Sequence, residues 1–202
     1  MNKQPVLFFD TETSNMINFK ARNSDPSQPW IVQLAAVLST SERILSSMNL
    51  LIKSEGLPMG AEAEAIHGIS VEIADLYGYP PDYAFQLFHS LARRADLLVC
   101  HNNTFDLRML AILARRLEEH SEGVSMEIME EIKAKPSLCT MTSTTKLCQL
   151  PKPSGYGGYK WPKLTELHHF LFNEEFEGAH DALIDVQATR RCYYELKKRE
   201  VI

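Results

Sequence analysis

Two acidic residues stand at the end of an apolar segment near the N-terminus, where their side chains can act together. The apolar run from Val6 to Phe9 is too short for a helix and stops at Asp10, which predicts a buried strand that ends with the polar residues Asp10 and Glu12. Because alternate side chains of a strand point to the same face, the Asp10 and Glu12 carboxylates are expected on one side of a sheet. Carboxylate oxygens suit Mg²⁺ or Mn²⁺ better than Zn²⁺, so this pair predicts a site for hard divalent cations.

Two further acids occupy helix faces that otherwise point toward a core. Asp106 lies in the first turn of a predicted helix, one turn before Leu110, and Asp185 shares a helical stripe with Cys192. Burying an unpaired carboxylate costs on the order of several kcal/mol, so each acid needs a hydrogen-bonding partner or a cation. For Asp106 the alternative is a helix N-terminal acid favoured by the macrodipole. His180 precedes the helix of Asp185 and either reaches over a shared site or caps its own helix.

These acids and the histidine lie in ordered motifs that resemble the DEDDh family of 3′→5′ exonucleases. That family includes the epsilon proofreading subunit of bacterial replicases and ribonuclease T. The motifs are FFDTET at 8 to 13, AIHGIS at 65 to 70, HNNTFD at 101 to 106 and HDALID at 180 to 185. Since they follow one another in the family order and the resemblance runs from about residue 5 to 195, the signal is specific.

The resemblance implies that four acids of these motifs bind two divalent cations, Mg²⁺ or Mn²⁺: Asp10, Glu12, Asp106 and Asp185. Asp10 would bridge both ions, Glu12 and Asp185 would complete the first site, and Asp106 would serve the second. Two ions about 3.5 to 4 Å apart stabilise the attacking and leaving oxygens of an in-line phosphoryl displacement. His180 would be the general base, because an imidazole with a pKa of about 6.5 can accept a proton from water. The products would be nucleoside 5′-monophosphates.

The resemblance also implies substrate contacts, at Thr11, Thr13, His67, Asn102 and Phe105. For His67 the alternative is a structural role in ordering its own loop. After Thr13 the chain departs from the family pattern, because Ser14 and Asn15 stand where a small residue and glycine are frequent. Asn adopts positive φ more readily than other non-glycine residues, so we expect the turn to survive.

A basic and aromatic segment lies between Lys146 and Lys163, which holds four lysines and no acid. Its aromatic residues are Tyr156, Tyr159 and Trp161, and its glycines are Gly155, Gly157 and Gly158. Lysines attract phosphates and aromatic rings stack on bases, so Lys152 to Trp161 is predicted to help hold a single strand. An ordinary surface loop is the alternative.

The other candidate ligands have structural interpretations. Cys100, Cys139, Cys148 and Cys192 form no CxxC pair and are expected to be free, buried thiols. His101 follows a short predicted strand and is expected to brace the site through hydrogen bonds. His168 and His169 have no acidic partner at a convincing metal spacing, so we expect them to be structural.

The elements that position these residues predict an α/β fold, a ribonuclease H-like mixed β-sheet flanked by helices, in one exonuclease domain over 1–202. Residues 13 to 29 are predicted to form a loop. Strands are expected at Ile31 to Leu38 and Ile44 to Ile52 as an antiparallel pair, and at Asp96 to Cys100. A helix should follow Pro80 and Pro81, and another should be capped by Asn103 or Thr104. The stretch from Leu117 to Ile132 carries six Glu and predicts a solvated helix end and loop. Short helices are expected at 139–150 and 163–172, and a long one at 181–198.

Composition and charge narrow the class of protein. The chain has 202 residues, of which 45% are hydrophobic, and its formal net charge of −5 argues against a globally basic DNA-binding protein. A nuclease that grips a strand end through metal ions is compatible with that charge. The start MNKQPVLFFD lacks the pattern of a signal peptide, and no apolar run suits a membrane helix, so the sequence predicts a cytoplasmic protein without membrane association.

The sequence leaves several functions open. The leading prediction is a 3′→5′ exonuclease on single-stranded or frayed DNA, and the alternative is a 3′→5′ exoribonuclease that trims RNA or short oligoribonucleotides. The two differ in how the site treats a 2′-hydroxyl, which sequence does not reveal. A non-catalytic module that binds nucleic acid or a polymerase is a third interpretation, but such a module has no need for a metal-binding acid cluster. Both a freestanding enzyme and a subunit with a polymerase partner fit the sequence.

Overall fold

A computed structural model describes residues 4–118, 120–121, 124–153 and 157–202. The strands of the described chain are β1 Val6–Thr13, β2 Ile31–Ser39, β3 Ile44–Leu51, β4 Leu97–Cys100 and β5 Ser137–Cys139. The helices are α1 Ala61–His67, α2 Val71–Tyr77, α3 Pro81–Arg93, α4 Asn103–Leu117, α5 Met126–Ala134, α6 Thr140–Cys148, α7 Leu164–Phe172 and α8 Ala182–Lys198.

The strands form one mixed sheet in the order β3-β2-β1-β4-β5. β1 lies at its centre, antiparallel to β2 and parallel to β4. β2 and β3 form the predicted antiparallel pair, and β4 and β5 are parallel. The ladder of β1 with β2 continues to Thr13, one residue beyond the strand end predicted at Glu12. Asp10 and Glu12 are therefore held within a central strand and not in a loop.

Helices cover both faces of the sheet, and the alternation of β1 divides its side chains between two cores. Leu7 and Phe9 belong to the larger core, which includes residues of α3, α4 and α5. Val6 and Phe8 belong to the second core, where Ala182 and other residues of α8 pack. Asp10 and Glu12 continue the row of Phe8, so they point to the α8 side. Asp106 reaches β1 from α4, on the other side.

The loop between β1 and β2 is held by hydrogen bonds to its own backbone. The buried Gln28 donates to Asn18 O at 2.9 Å, and Arg108 of α4 donates to Ala21 O at 2.7 Å. Arg116 of α4 donates to the carbonyls of Gln28 and Pro29. This predicted loop is thus fixed against the helix that carries Asp106.

Several local predictions differ from the structure. Within 117–132, described except for three residues, Met126 begins helix α5, which buries Met129 and Ile132 beneath its glutamates. α4 is capped at Asn102, in a left-handed conformation and without a side-chain cap bond, so the predicted caps at Asn103 and Thr104 are wrong. The helices α1 and α2 and the short strand β5 were not predicted. The four cysteines are free and buried, as expected. No helix in the described ranges is long and apolar enough to cross a membrane.

Candidate active site

The carboxyl-terminal half of β1 and the start of α8 bring three predicted site residues together. One ligand atom from each of Glu12, His180 and Asp185 lies within 4.8 Å of the other two. Glu12 comes from the central strand, Asp185 from the first turn of α8, and His180 from the turn before that helix. This is the spacing that side chains adopt around a bound cation.

Asp185 is incompletely satisfied by the protein. Its Oδ2 accepts a hydrogen bond from the backbone N of His180 at 3.1 Å. Its Oδ1 is buried and has no hydrogen-bond partner among the described residues. A buried carboxylate oxygen without a donor is costly, whereas a cation would satisfy it. The donor set around Asp185 therefore fits a divalent metal.

Asp106 is arranged differently, although it also reaches β1 from the first turn of a helix. It is only 2% exposed. Its Oδ1 accepts hydrogen bonds from the backbone N of Thr11 at 3.1 Å and from Thr11 Oγ1 at 2.9 Å. Asp106 thus has a hydrogen-bonding partner in the protein as well as a place in the acid cluster. Thr11 holds Asp106, and its predicted contact with substrate stays a prediction.

The pKa values of all four acids are raised, which identifies them as one electrostatic cluster. Burial, followed by the charges of Asp106, Asp185 and Glu12, raises the pKa of Asp10 well above its usual range. Burial, followed by Asp185 and Asp106, raises the pKa of Glu12 to about 8. Burial raises the pKa of Asp106 to about 7 although the bonds from Thr11 lower it. Burial also raises the pKa of Asp185, although the hydrogen bond from the His180 N–H lowers it. Such a cluster favours protons or cations.

His180 is presented by a turn with an unusual backbone. It has a left-handed φ of 73° and an exposed side chain, and Gly178 before it has a φ of 79°. The positive φ at Gly178 favours glycine, and a Cβ there would also require Cδ1 of Ile184, 2.4 Å away, to move. His180 donates its backbone N–H to Asp185 and does not cap α8 with its side chain; Asp181 caps that helix.

The AIHGIS loop lies beside the end of β1. His67 Nδ1 accepts a hydrogen bond from the backbone N of Ile69 at 3.1 Å, which is the structural role considered from the sequence. Burial lowers the pKa of His67, and His180 lowers it further, while the neighbouring Thr13 backbone raises it. His67 is therefore close to the site, and its contact with substrate stays a prediction.

The turn after β1 forms without positive φ at Asn15, contrary to the expected mechanism. Thr13 Oγ1 donates to Asn15 O at 2.9 Å, and Asn15 Oδ1 accepts from Met16 N at 2.8 Å. These bonds stabilise the turn, so it does not need a glycine or a positive φ at Asn15. At the start of α4, Asn102 has a φ of 86°, and Phe105 is partly buried against the larger core. Substrate contacts of these residues stay predictions.

His101 braces the site, as expected. Its Nδ1 lies 2.9 Å from Thr140 Oγ1 and its Nε2 lies 2.9 Å from Pro162 O. Burial lowers its pKa to about 4, so the ring is neutral at pH 7. The bond to Pro162 ties the base of the basic segment to the end of β4, beside β1. His168 is buried against Glu174 O and Arg191, in the expected structural role.

The Lys152 to Trp161 loop offers less free positive charge than its sequence suggests. Lys152 Nζ donates to Gly157 O at 2.6 Å, and Lys160 pairs with Glu166 of α7. The absence of acids within the segment was a poor guide, because its neutralising acid comes from the next helix. Trp161 is 65% exposed and available for stacking. Tyr156 and Gly155 lie outside the described residues.

Two residues near the site were missed by sequence reasoning. Asp181 caps α8 and adds a fifth negative charge that raises the pKa values of Asp10 and Glu12. Gln33 of β2 lies directly opposite Glu12 and is buried. The signal for Gln33 was present in the sequence, since it is the one polar residue inside the apolar run from Ile31 to Leu38.

The mixed sheet with helices on both faces and an acid cluster at its central strand defines a ribonuclease H-like exonuclease fold. Residues 7–193 match the exonuclease family RNase_T, and the chain belongs to that family. The family match confirms the predicted class of nuclease. No curated protein sequence matches the chain significantly.

Solved structures of exonuclease I are similar to the chain. One structure of exonuclease I matches with a TM-score of 0.73 and 20% identity over 98% of this chain and 42% of that one. A zinc-bound complex of the E. coli enzyme with single-stranded DNA gives a TM-score of 0.71 and 22% identity, over 98% and 41% of the two chains. Exonuclease I from Methylocaldum szegediense gives a TM-score of 0.68 and 20% identity, over 98% of this chain and 41% of that one. The chain thus spans less than half the length of these proteins.

Proposed function

We propose that this chain is a metal-dependent 3′→5′ exonuclease that removes nucleoside 5′-monophosphates from single-stranded or frayed DNA. The observation that carries the proposal is the cluster of Glu12, His180 and Asp185, together with the buried Asp185 Oδ1, which has no hydrogen-bond partner in the described part of the chain. Membership of the exonuclease family supports the reaction class. A cluster of this kind in a nuclease fold favours hydrolysis over mere binding, because acids without cations repel phosphate.

The proposed metal ligands are Asp10, Glu12, Asp106 and Asp185. Bound Mg²⁺ or Mn²⁺ would supply charge stabilisation of the attacking and leaving oxygens in phosphoryl transfer. One carboxylate oxygen of Asp185, from α8, lies within 4.8 Å of one of Glu12, from β1, so the two residues are suited to share one cation. Asp106 enters from α4, with hydrogen bonds from Thr11 to its Oδ1 and a further one from Cys100 to its carboxylate, and it is proposed to serve the second cation.

His180 is proposed as the general base. Its ring is exposed at the rim of the cluster, where water and a strand end can reach it, and its backbone N–H is anchored on Asp185. A ring so placed can take a proton from a water molecule beside the scissile phosphate and release it to solvent. The short distance from Glu12 and Asp185 also fits a metal ligand, and the metal affinity of a His180→Ala variant separates the two roles.

The choice of DNA as substrate is supported by the similar structures, several of which are complexes of exonuclease I with single-stranded DNA or with DNA oligonucleotides. An exoribonuclease that trims RNA or short oligoribonucleotides is the second candidate, because nothing in the acid cluster selects against a 2′-hydroxyl. A polymerase partner and a cytoplasmic location stay predictions.

The test uses 5′-labelled single strands of DNA and RNA with the same base order, incubated with Mg²⁺, Mn²⁺ or a chelator. We expect a descending ladder from the DNA with either metal, release of nucleoside 5′-monophosphates, and no product with chelator. An Asp185→Asn variant is the matched control against a contaminating nuclease. Ladders from RNA alone would support the second candidate. Intact DNA and RNA with both metals would contradict the proposal.

A further inference from the structure

Gln33 is a buried polar residue within the apolar strand β2, and it lies next to the site. It is 4% exposed, and its backbone pairs with that of Glu12 across the β1 and β2 ladder. A glutamine at such a position loses its hydration, which is tolerated only when both ends of its amide find partners. The position of those partners indicates what the residue does.

Both ends of the Gln33 amide are bound, and two of its three bonds reach the start of α8. Its Oε1 accepts from the backbone N of Ala182 at 3.1 Å, across 149 residues of sequence. Its Nε2 donates to Asp181 Oδ2 at 3.4 Å and to Asn49 Oδ1 at 3.0 Å. Gln33 therefore connects the strand beside Glu12 to the first residues of the helix that carries Asp185.

Asp181 completes this connection. Its Oδ1 accepts from the backbone N of Leu183 at 2.9 Å and of Ile184 at 3.2 Å, while its Oδ2 faces Gln33. One carboxylate thus caps α8 and fixes the helix to the sheet. His180 comes immediately before Asp181, in a left-handed backbone conformation. A shift or rotation of Asp181 would be transmitted directly to His180.

We propose that Gln33 and Asp181 form a positioning pair that aligns the start of α8 with β1 and so holds His180 and Asp185 at Glu12. The inference rests on the proposed function and adds two residues outside the four acids and the histidine. Apolar packing of Ala182 and Val186 holds α8 against the sheet, but such packing tolerates small slides along a helix axis. Directional hydrogen bonds define the position to the fraction of an ångström that a catalytic site needs.

The test compares single substitutions with a double one that exchanges donor and acceptor. Gln33→Leu removes the amide and keeps a similar side-chain volume. Gln33→Glu places a carboxylate against that of Asp181, and Asp181→Asn places a second amide against that of Gln33. In Q33E/D181N the new carboxylate accepts from the new amide and from Ala182 N, while the amide oxygen introduced by D181N still caps α8. The double variant carries the same net charge as the wild type, so charge alone cannot account for a difference between them.

Expected losses follow the usual effect of residues that orient metal ligands. Each single variant should lose about 10- to 100-fold in kcat on a DNA strand, with little change in KM. Each should also lose about 10- to 100-fold in Mn²⁺ affinity, measured by calorimetry. Q33E/D181N should recover most of both losses. Asn49→Ala is the matched control, because Asn49 binds the same Gln33 amide and has no hydrogen bond to α8 among the described residues. Its kcat and Mn²⁺ affinity should stay within a few-fold of wild type.

Three outcomes would overturn the proposal. The first is a Gln33→Leu variant with wild-type kcat and Mn²⁺ affinity. The second is a folded Q33E/D181N whose kcat and Mn²⁺ affinity do not exceed those of both single variants. The third is an Asn49→Ala variant that loses as much kcat and Mn²⁺ affinity as the single variants of the pair. Should Gln33→Leu not fold, Asp181→Asn still probes the same bond from its partly exposed side. A wild-type protein that binds Mn²⁺ but hydrolyses no nucleic acid would refute the proposed function alone, since the Mn²⁺ comparison still tests the pair.

Discussion

Asp106 and Asp185 approach the central strand from helices on opposite faces of the sheet, and both lie in the first turn of their helix. Their surroundings differ. Asp106 has two donors from Thr11 on one oxygen and is nearly inaccessible. Asp185 accepts one backbone donor, and its other oxygen is buried without a partner among the residues that the structure describes.

This difference indicates that the two halves of the acid cluster are completed by different means. On the α4 side the protein itself satisfies the carboxylate, so that half is preformed. On the α8 side satisfaction requires a cation or a proton, so that half depends on solution conditions. Substitutions and changes of solution conditions can test this contrast, beginning with the largest expected effect.

The largest effect should come from removing an acid from either half. Asp10→Ala, Asp106→Ala and Asp185→Ala should each abolish hydrolysis, with a loss of at least ~10³-fold in kcat, because each removes charge that holds the catalytic cations. End-labelled DNA in Mg²⁺ provides the measurement. Near-wild-type turnover in any of the three would disprove the assignment of that acid as a metal ligand.

His180→Ala should reduce kcat by roughly 10² to 10⁴-fold, the range expected for a positioned general base. Mn²⁺ affinity should change little, because the four acids remain. Calorimetry on this variant and on Asp185→Ala separates the two roles of the histidine. If both variants lose metal affinity to the same degree, His180 is a ligand or a brace of the α8 half.

The two halves should also differ in stability without metal. Asp106→Ala leaves two buried donors of Thr11 unpaired, which costs roughly 1 to 3 kcal/mol and offsets the relief of charge repulsion. Asp185→Ala removes an unsatisfied oxygen and should be at least as stable as wild type. Urea unfolding in chelator compares them, with Asp106→Asn as the control that keeps the acceptor. A more stable Asp106→Ala than Asp106→Asn would contradict the preformed half.

Stability without metal should fall as pH rises from about 4 to 8. The pKa values of Glu12 and Asp106 are raised to about 8 and about 7 in the folded protein, so the folded state binds more protons than the unfolded state over this range. Mg²⁺ should bind more tightly at pH 8 than at pH 6 and release protons. Thermal unfolding at both pH values with and without Mg²⁺ checks this. Stability that rises with pH in chelator would contradict the charge cluster.

The smallest effect should come from the Lys152 to Trp161 loop, outside both halves. Replacing Lys152 and Lys160 by Ala should raise KM for a long single strand and reduce the salt slope by about 0.7 for each phosphate that is no longer bound. The effect should be modest, because Lys160 is paired with Glu166. A dinucleotide should be hydrolysed as before. Unchanged KM and salt slope on the long strand would show that the lysines do not bind it.

The sequence predicted the central strands and the long helices α3, α4 and α8 because each has a strong local pattern. The residues of the acid cluster were predicted as a set from the resemblance of four ordered motifs to a known family. Helix α5 was hidden because its two buried residues, Met129 and Ile132, are outnumbered by surface glutamates. The seven-residue helices α1 and α2 are too short to show a period.

Contacts between distant segments limited what could be predicted at the site. The bond of Thr11 to Asp106 joins residues 95 apart, and the neutralisation of Lys160 depends on α7. Neither has a local signal. Asn15 shows a different limit, since its residue type suggested positive φ while hydrogen bonds with Thr13 and Met16 formed the turn in another way. Residue type restricts a backbone conformation without choosing it.

The bond between Gln33 and Ala182 also has a consequence for the synthesis of the protein. Ribosomes add about 5–20 residues per second, so the 149 residues between these partners take roughly 7 to 30 s to be made. During that interval β1 and β2 are present but the helix that carries Asp185 is not. A nascent chain therefore holds some of its acids without the others, and under the proposed function it would hydrolyse no nucleic acid near the ribosome until α8 has emerged and docked.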